Sequence, residues 1–341
     1  MTIRTAIEAL INERRNLSED EAAAAIQDIF SGEASPALLS AFLVALRLKG
    51  ETADEIAGMA RVMREHSLRV DVKGPLLDTC GTGGDGRGTF NVSTAAAFVA
   101  AGAGARVAKH GNRAMSSGCG SADVLEALGA KIDLSPEQVA QCIAETGFGF
   151  MFAQTFHPAM KHAGPTRREL GVRTAFNILG PLTNPAGATT QLLGVPRREL
   201  VPLMASALAK LGSTHVIVVH GHGDTDEMTL DGPTYVHEMT RGTTREYVVS
   251  AQDLGLAAAR PEAIRGGTPQ ENAGVLRGIL QGEKGALRDV VVLNAGAALL
   301  AADIVHSLDE GVRAAASSID SGAARKRLEA FVELSSSFGT A

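Results

Sequence analysis

The sequence predicts an α/β protein in two parts: a small all-helical unit over residues 1–70, then a large α/β unit over residues 71–341 with a mostly parallel central sheet flanked by helices. Three observations carry this. Residues 3–66 place apolar side chains at helical spacing and show no strand-like alternation. From about residue 70 the pattern becomes apolar strand, polar or glycine-rich loop, then helix, repeated several times, as a parallel sheet with crossover helices requires. Where the second part begins stands DTCGTGGDG, residues 78–86, a loop with four glycines between an apolar approach and an Ala-rich helix.

At 341 residues the chain is long for one domain, and its 45% hydrophobic content with mean hydropathy +0.07 is enough for a full core. There is no Trp and only two Tyr, so Ala, Leu, Val and Ile must fill that core. The 38 glycines gather in loops, which points to several close backbone approaches. A net charge of −6 shows no basic stripe for nucleic acid. No apolar run nears the roughly 20 residues of a membrane span. The N-terminus lacks a signal-peptide pattern, so a cytoplasmic protein is expected. Cys80, Cys119 and Cys142 are too few and too scattered for a disulfide framework.

Ile3, Ile7, Leu10 and Ile11 form the apolar stripe of a first helix. Ser18 with Glu21 is a capping box for a second, Ser35-Pro36 opens a third, and Thr52 with Glu55 opens a fourth. Strands are expected at 76–79, 106–108, 130–133, 148–152, 215–219, 235–239, 245–249 and 290–293. Helices are expected at 94–103, 123–128, after Ser135, over 157–170, near 198–211 and from Asn294. The basic run Arg325-Lys326-Arg327 reads as a solvated helix face.

Gly81, Gly83 and Gly86 also satisfy the dinucleotide fingerprint G-x-G-x-x-G. That reading needs an acidic residue about 20 positions later, at the end of the next strand. Lys109 and Arg113 of VAKHGNR stand there instead, and no G-K-[ST] supports a P-loop. Three elements suited to an anion remain. Gly81–Gly86 offers backbone N–H groups, Asn91-Val-Ser-Thr94 lies at a helix N-terminus, and Lys109–Ser117 leads to a second one near Ser121. Each alone fits an ordinary turn or cap; together they describe a phosphate cradle. HGHGDTDEM, residues 220–228, follows a strand, and its adjacent Asp226 and Glu227 suit Mg²⁺, which takes one or two carboxylates plus substrate phosphates. His220 and His222 admit a transition-metal reading, but no cysteine lies nearby to complete a zinc set. His157 begins a helix that carries Arg167, a residue type that grips carboxylates with two hydrogen bonds. Cys80 and Cys119 lie in these loops with no base placed to activate them.

GTGGDG…FNVSTAAAFVAAG, VAKHGNRAMSSGCGSADVLEALG, FAQTFHPAMKHAGPTRRELGVRTAFNILGPLTNP and GDTDEM together resemble the anthranilate phosphoribosyltransferases of tryptophan biosynthesis. The resemblance runs from about residue 75 to 305 and includes ENAGVLRGILQGEKGALRDVVVLNAGAAL. It implies transfer of a 5-phosphoribosyl group from phosphoribosyl pyrophosphate (PRPP) to the amine of anthranilate. It also implies a helical domain hinged to the α/β domain, with helices from about 160–185 folded back onto the former, and a homodimer formed through it. By position, Gly81, Gly84, Asp85, Thr89, Asn91, Val92, Ser93 and Thr94 would hold PRPP. Lys109, His110, Gly111, Asn112, Arg113, Ala114, Met115, Ser116, Ser117 and Ser121 would close over its phosphates. Ser93, Asp226 and Glu227 would coordinate Mg²⁺, as two ions bound with PRPP. Gly81, Asn112 and Arg167 would contact anthranilate, with His110, His157 and Pro181 lining its approach.

Two other readings fit parts of the chain. A pyrimidine nucleoside phosphorylase shares GSADVLEALG in looser form but would not need the acidic pair Asp226-Glu227. A non-catalytic nucleic-acid-binding relative would need a basic surface and eroded motifs, and the net charge of −6 opposes it.

Overall fold

The computed structural model describes residues 2–114 and 118–339. Four helices open the chain: α1 (Ile3–Ile11), α2 (Glu19–Phe30), α3 (Pro36–Lys49) and α4 (Ala53–Glu65). Both expected capping boxes form, Ser18 with Glu21 and Thr52 with Glu55, and such a cap contributes about 1 kcal/mol. Glu55 does more than cap, because its buried carboxylate also accepts the Leu17 N–H at 2.8 Å and pairs with Lys49 at 3.0 Å. α2 and α4 touch backbone to backbone, since a Cβ on Gly58 would lie 2.0 Å from the Glu19 carbonyl oxygen.

The α/β part follows as β1 (Leu77–Gly81), α5 (Val92–Gly102), β2 (Val107–Gly111), α6 (Ser121–Ala127), α7 (Pro136–Thr146), β3 (Phe148–Phe152) and a short α8 (Ala153–Phe156). A 3₁₀ turn at Pro158–His162, α9 (Gly164–Leu170) and the one-turn α10 (Phe176–Leu179) lead to β4 (Thr190–Gly194), α11 (Leu200–Lys210) and β5 (His215–His220). The hairpin β6 (Thr234–Thr240) and β7 (Thr243–Val249) precedes α12 (Pro269–Leu280), α13 (Ala286–Ala301), α14 (Leu308–Asp320) and α15 (Ala323–Ser337). Among the described residues, seven strands form one sheet in the order β3-β2-β1-β4-β5-β6-β7. β1 to β5 are parallel, and β6 and β7 add an antiparallel edge.

β5 shows how the sheet divides the interior. Ile217 and Val219 face a core shared with α5, α13 and α15, whereas Val216 and Val218 face a second core. That second core joins Ile26, Phe42, Leu43 and Met59 of the helical unit to Phe176 and Leu179, and to Val201 and Met204 of α11. In the first core, small residues replace the missing aromatics. Gly296 of α13 and Gly311 of α14 meet so closely that a Cβ on Gly311 would lie 2.3 Å from the Gly296 carbonyl oxygen.

Several sequence expectations are corrected. Residues 130–133 form no strand: Ala130, Ile132 and Leu134 alternate into the core, but the Lys131 N–H donates to the Ser335 hydroxyl and not to a ladder. Val290–Leu293 is helical, inside α13, which begins at Ala286 and not at Asn294. This helix is buried on every side, so its apolar run has no 3.6-residue period to betray it. The helix expected over 157–170 is broken into the 3₁₀ turn and α9, as Pro165 in the second helical position dictates. The central strand β4, TQLLG, lies outside the strands the sequence predicts, because all five of its residues are buried and nothing alternates.

Candidate active site

The carboxyl ends of β1 and β2 and the loop after β5 converge on one cleft of about 610 Å³, the place where open parallel sheets hold ligands. β1 runs into the glycine loop, whose Gly83 and Gly84 take φ of 73° and 80°, conformations that disfavour any side chain. The loop is tied from several directions. Thr82 N–H donates to Gly194 O at 3.0 Å, Gly83 N–H to Asp226 Oδ2 at 2.7 Å, and the Arg87 guanidinium to Gly223 O at 2.8 Å. The N–H groups of Gly84, Asp85 and Gly86 have no partner among the described residues. Gly81 must lack a side chain, because a Cβ there would sit 2.2 Å from Asp226 Oδ2.

α5 begins without a side-chain cap. Asn91 spends its amide elsewhere, donating to Cys119 O at 3.1 Å and accepting from Asn272 at 2.8 Å. Beneath this helix end lies Lys109, only 2% exposed, whose Nζ donates to Thr79 O and reaches Ser93 Oγ at 3.3 Å. Burial lowers the Lys109 pKa, and the nearby Asp78 opposes that fall. Asp78 is itself buried, which raises its pKa, and it accepts from Asn184 at 2.8 Å.

Opposite stands a set of carboxylates. Burial, and then the charge of Asp85, push Asp226 up to about 7. Burial and Asp226 together hold Glu227 well above the usual carboxylate range, while Lys109 and the Ser93 N–H oppose this. Among the described residues, Asp85 Oδ2 is buried with no hydrogen-bond partner. Carboxylates that repel one another have the donor chemistry of a hard-cation site, but among the described residues no three His, Cys, Asp or Glu side chains are grouped closely enough to hold a metal, so a cation here needs oxygens from a bound substrate as well. His220 and His222 do not join them: His220 Nδ1 lies 3.1 Å from Val195 O, and the His222 ring packs against Gly232.

The far wall is the segment after β2. Asp123 of α6 accepts the N–H groups of both Ala114 and Gly120 at 2.8 Å. Arg113 is pinned to Asp123 and Glu126 and lies over the Phe152 ring at 5.5 Å. The cleft wall thus brings together Gly81, Gly84, Asp85, Thr89, Asn91, Val92, Ser93, Thr94, Lys109, His110, Gly111, Asn112, Arg113, Ala114, Ser121, Asp226 and Glu227. Met115, Ser116 and Ser117 lie outside the described residues.

Three expected residues do not reach this wall. His157 packs behind His110 with ring centroids 4.9 Å apart, and burial drops their pKa values to about 4 and about 3. Pro181 turns its carbonyl to Gln191 Nε2 at 2.8 Å. Arg167 lies half-buried over the Phe176 ring at 5.1 Å. Conversely, the cleft includes Arg47, Arg173, Asn177 and Arg197, which sequence reasoning left without roles. Arg173 and Asn177 lie within the RRELGVRTAFNILGP stretch, but Arg47 and Arg197 carry no local signal.

Fold and site define a glycosyl transferase. A family model described as "Glycosyl transferase family, a/b domain" matches residues 73–325, and one described as "Glycosyl transferase family, helical bundle domain" matches residues 4–67. Within that class, the chain belongs to the anthranilate phosphoribosyltransferases. It is 59% identical over 322 residues to the anthranilate phosphoribosyltransferase of Roseiflexus sp. (strain RS-1), covering 94% of each chain. The crystal structure of the Thermus thermophilus enzyme matches with TM-score 0.92 and 49% identity, over 97% of this chain and 99% of the other. Two structures of the Saccharomyces cerevisiae enzyme also match over 98% of both chains. One is a complex with PRPP and Mg (TM-score 0.90, 30% identity), the other a complex with 4-fluoroanthranilate (TM-score 0.89, 29% identity).

Proposed function

We propose that this chain transfers the 5-phosphoribosyl group of PRPP to the amine of anthranilate, releasing pyrophosphate and giving N-(5-phosphoribosyl)anthranilate for tryptophan biosynthesis. The observation that carries this reading is one cleft that sets unpaired loop N–H groups, an uncapped helix N-terminus and Lys109 against the acids Asp85, Asp226 and Glu227. A polyphosphate with a divalent cation satisfies both sides. Asp226 and Glu227, with the Ser93 hydroxyl, would hold Mg²⁺ as two ions. Bound there, Mg²⁺ neutralises charge on the pyrophosphate.

The glycine loop, the 91–94 helix start and the 109–121 segment hold the donor. As the bond to pyrophosphate breaks, negative charge builds on the leaving group, and fixed N–H groups and Lys109 stabilise it more in the transition state than before it. Arg167 leaves the Phe176 ring to grip the anthranilate carboxylate and aim the amine at the ribose carbon, a positioning effect. Gly81 and Asn112 border the acceptor, with His110, His157 and Pro181 behind. The depressed pKa values of the two histidines make them poor bases, which suits a neutral aromatic amine that loses its proton late. The protein works in the cytoplasm as a homodimer through the helical domain, where Ile11, Val44 and Leu48 stand 54%, 38% and 83% exposed.

The test mixes protein, PRPP, Mg²⁺ and anthranilate and follows the loss of anthranilate fluorescence, omitting each component in turn. Every omission should stop the reaction. Turnover without PRPP, or phosphorolysis of thymidine or uridine, would overturn the assignment.

A further inference from the structure

The geometry points to Arg173 as a positioning residue that sets the conformation of the donor loop from the acceptor side of the cleft. Its Nη2 donates to the Gly84 carbonyl oxygen at 2.6 Å, and no carboxylate pairs with it among the described residues. The two residues are matched in shape as well as polarity. A Cβ on Gly84, at φ 80°, would fall 1.7 Å from Arg173 Nη2, so the guanidinium occupies the space that any other residue would fill.

The loop needs an external hold. Gly83, Gly84, Gly86 and Gly88 all have positive φ, and glycine has little conformational preference of its own. The ties at Thr82, Gly83 and Arg87 all come from the sheet and the β5–β6 connection. Arg173 comes from the other side. It follows α9, which bears Arg167, and precedes the buried turn of Phe176 and Leu179 in the core shared with the helical unit. Chain direction on either side of it is fixed, by the left-handed Gly171 at φ 62° and by the Thr174 N–H donating to Asn177 Oδ1 at 2.9 Å. The peptide that follows Gly84 is planar and trans, so gripping its oxygen also fixes where the Asp85 N–H points. Asp85 is the member of the acidic set whose oxygen is unpaired. One hydrogen bond therefore joins the acceptor-binding segment to the loop that presents Asp85 and the free amides.

This inference rests on the donor assignment above, and the experiment separates the two. Binding of PRPP with Mg²⁺, in the absence of acceptor, is measured by calorimetry for the parent protein and for Arg173→Ala, Arg173→Gln and Arg173→Lys. Circular-dichroism melts establish that each variant folds. The Ala and Gln variants should bind PRPP roughly five- to tenfold more weakly, the order that one exposed hydrogen bond from a charged donor supplies. Lys should restore part of the loss. In steady state, the KM for PRPP should rise with the anthranilate KM changed less than twofold. If the parent protein fails to bind PRPP, the donor assignment itself falls. If it binds and the Ala and Gln variants bind equally well, or only the anthranilate KM moves, the positioning role of Arg173 is wrong.

Discussion

Replacing Asp226 by asparagine should make the cation-free protein more stable, by an amount that grows with pH. The carboxyl is 8% exposed, and burial together with Asp85 raises its pKa from 3.8 to about 7. A carboxyl that holds its proton more tightly when folded costs stability as pH rises from about 4 to about 7, and the cost then stays constant. Three pKa units at 1.36 kcal/mol each make the full cost on the order of 4 kcal/mol, of which roughly 2–3 kcal/mol develops between pH 5 and pH 8. Asparagine is neutral throughout and keeps an oxygen for the Gly83 N–H, now 2.7 Å from Oδ2. Removing one charge also relieves Glu227, whose pKa Asp226 helps to raise. Urea denaturation in EDTA at pH 5 and pH 8 measures this. The variant should gain on the parent, chiefly at pH 8, and lose most of the stabilisation that PRPP with Mg²⁺ confers on the parent. A variant less stable than the parent at pH 8, or a gap that does not widen with pH, would refute the idea that these acids are held together against their repulsion.

Arg167→Ala should raise the anthranilate KM at least tenfold and leave the PRPP KM within about twofold, the order of a lost charge-assisted carboxylate contact; equal effects on both would remove the residue from the acceptor site. Gly58→Ala should lower stability by about 1–3 kcal/mol, because its methyl meets the Glu19 carbonyl at 2.0 Å. An unchanged melting temperature would mean that α2 and α4 separate freely. His215 lies 2.7 Å from Asp303 and 3.3 Å from Glu238; burial lowers its pKa, but these acids outweigh it and hold the value above 6.5. That stabilisation is present below about pH 6.5 and fades as pH rises through the folded pKa, so His215→Asn should cost more at pH 6 than at pH 9, and equal costs would contradict it.

What was legible in the sequence depended on local signals. Capping residues mark helix starts within one turn, so α2, α4 and α7 were readable from Ser18, Thr52 and Ser135. The glycine loop and the acidic pair were readable because their chemistry is contiguous. Burial on all sides erased the rest. All five residues of β4 and nearly all of α13 are buried, polar ones such as Gln191 and Asn294 included, so neither shows a periodic face, and only their tertiary neighbours decide that one is a helix and the other a central strand. Ala130, Ile132 and Leu134 alternate as a strand does, yet the Lys131 N–H donates to a side chain, the Ser335 hydroxyl of α15, some 200 residues away in sequence. The site failed in the same way. Nothing local says that Arg47 and Arg197 border the cleft, or that Arg167 rests on Phe176 and not in the open.

The contact of Gly296 with Gly311 bears on how this molecule can move. Where two helices meet at their backbones, no side chain is left to change rotamer and absorb a shift, so α13 and α14 cannot slide past each other by small steps. The same holds at Gly102, where a Cβ would lie 2.5 Å from the Ala324 amide nitrogen. The layer behind the sheet is consequently stiff, and compliance is left to the segments at the cleft. Amide protons of α5 and α13 should therefore exchange with solvent only through global unfolding, while those of the glycine loop exchange through local opening.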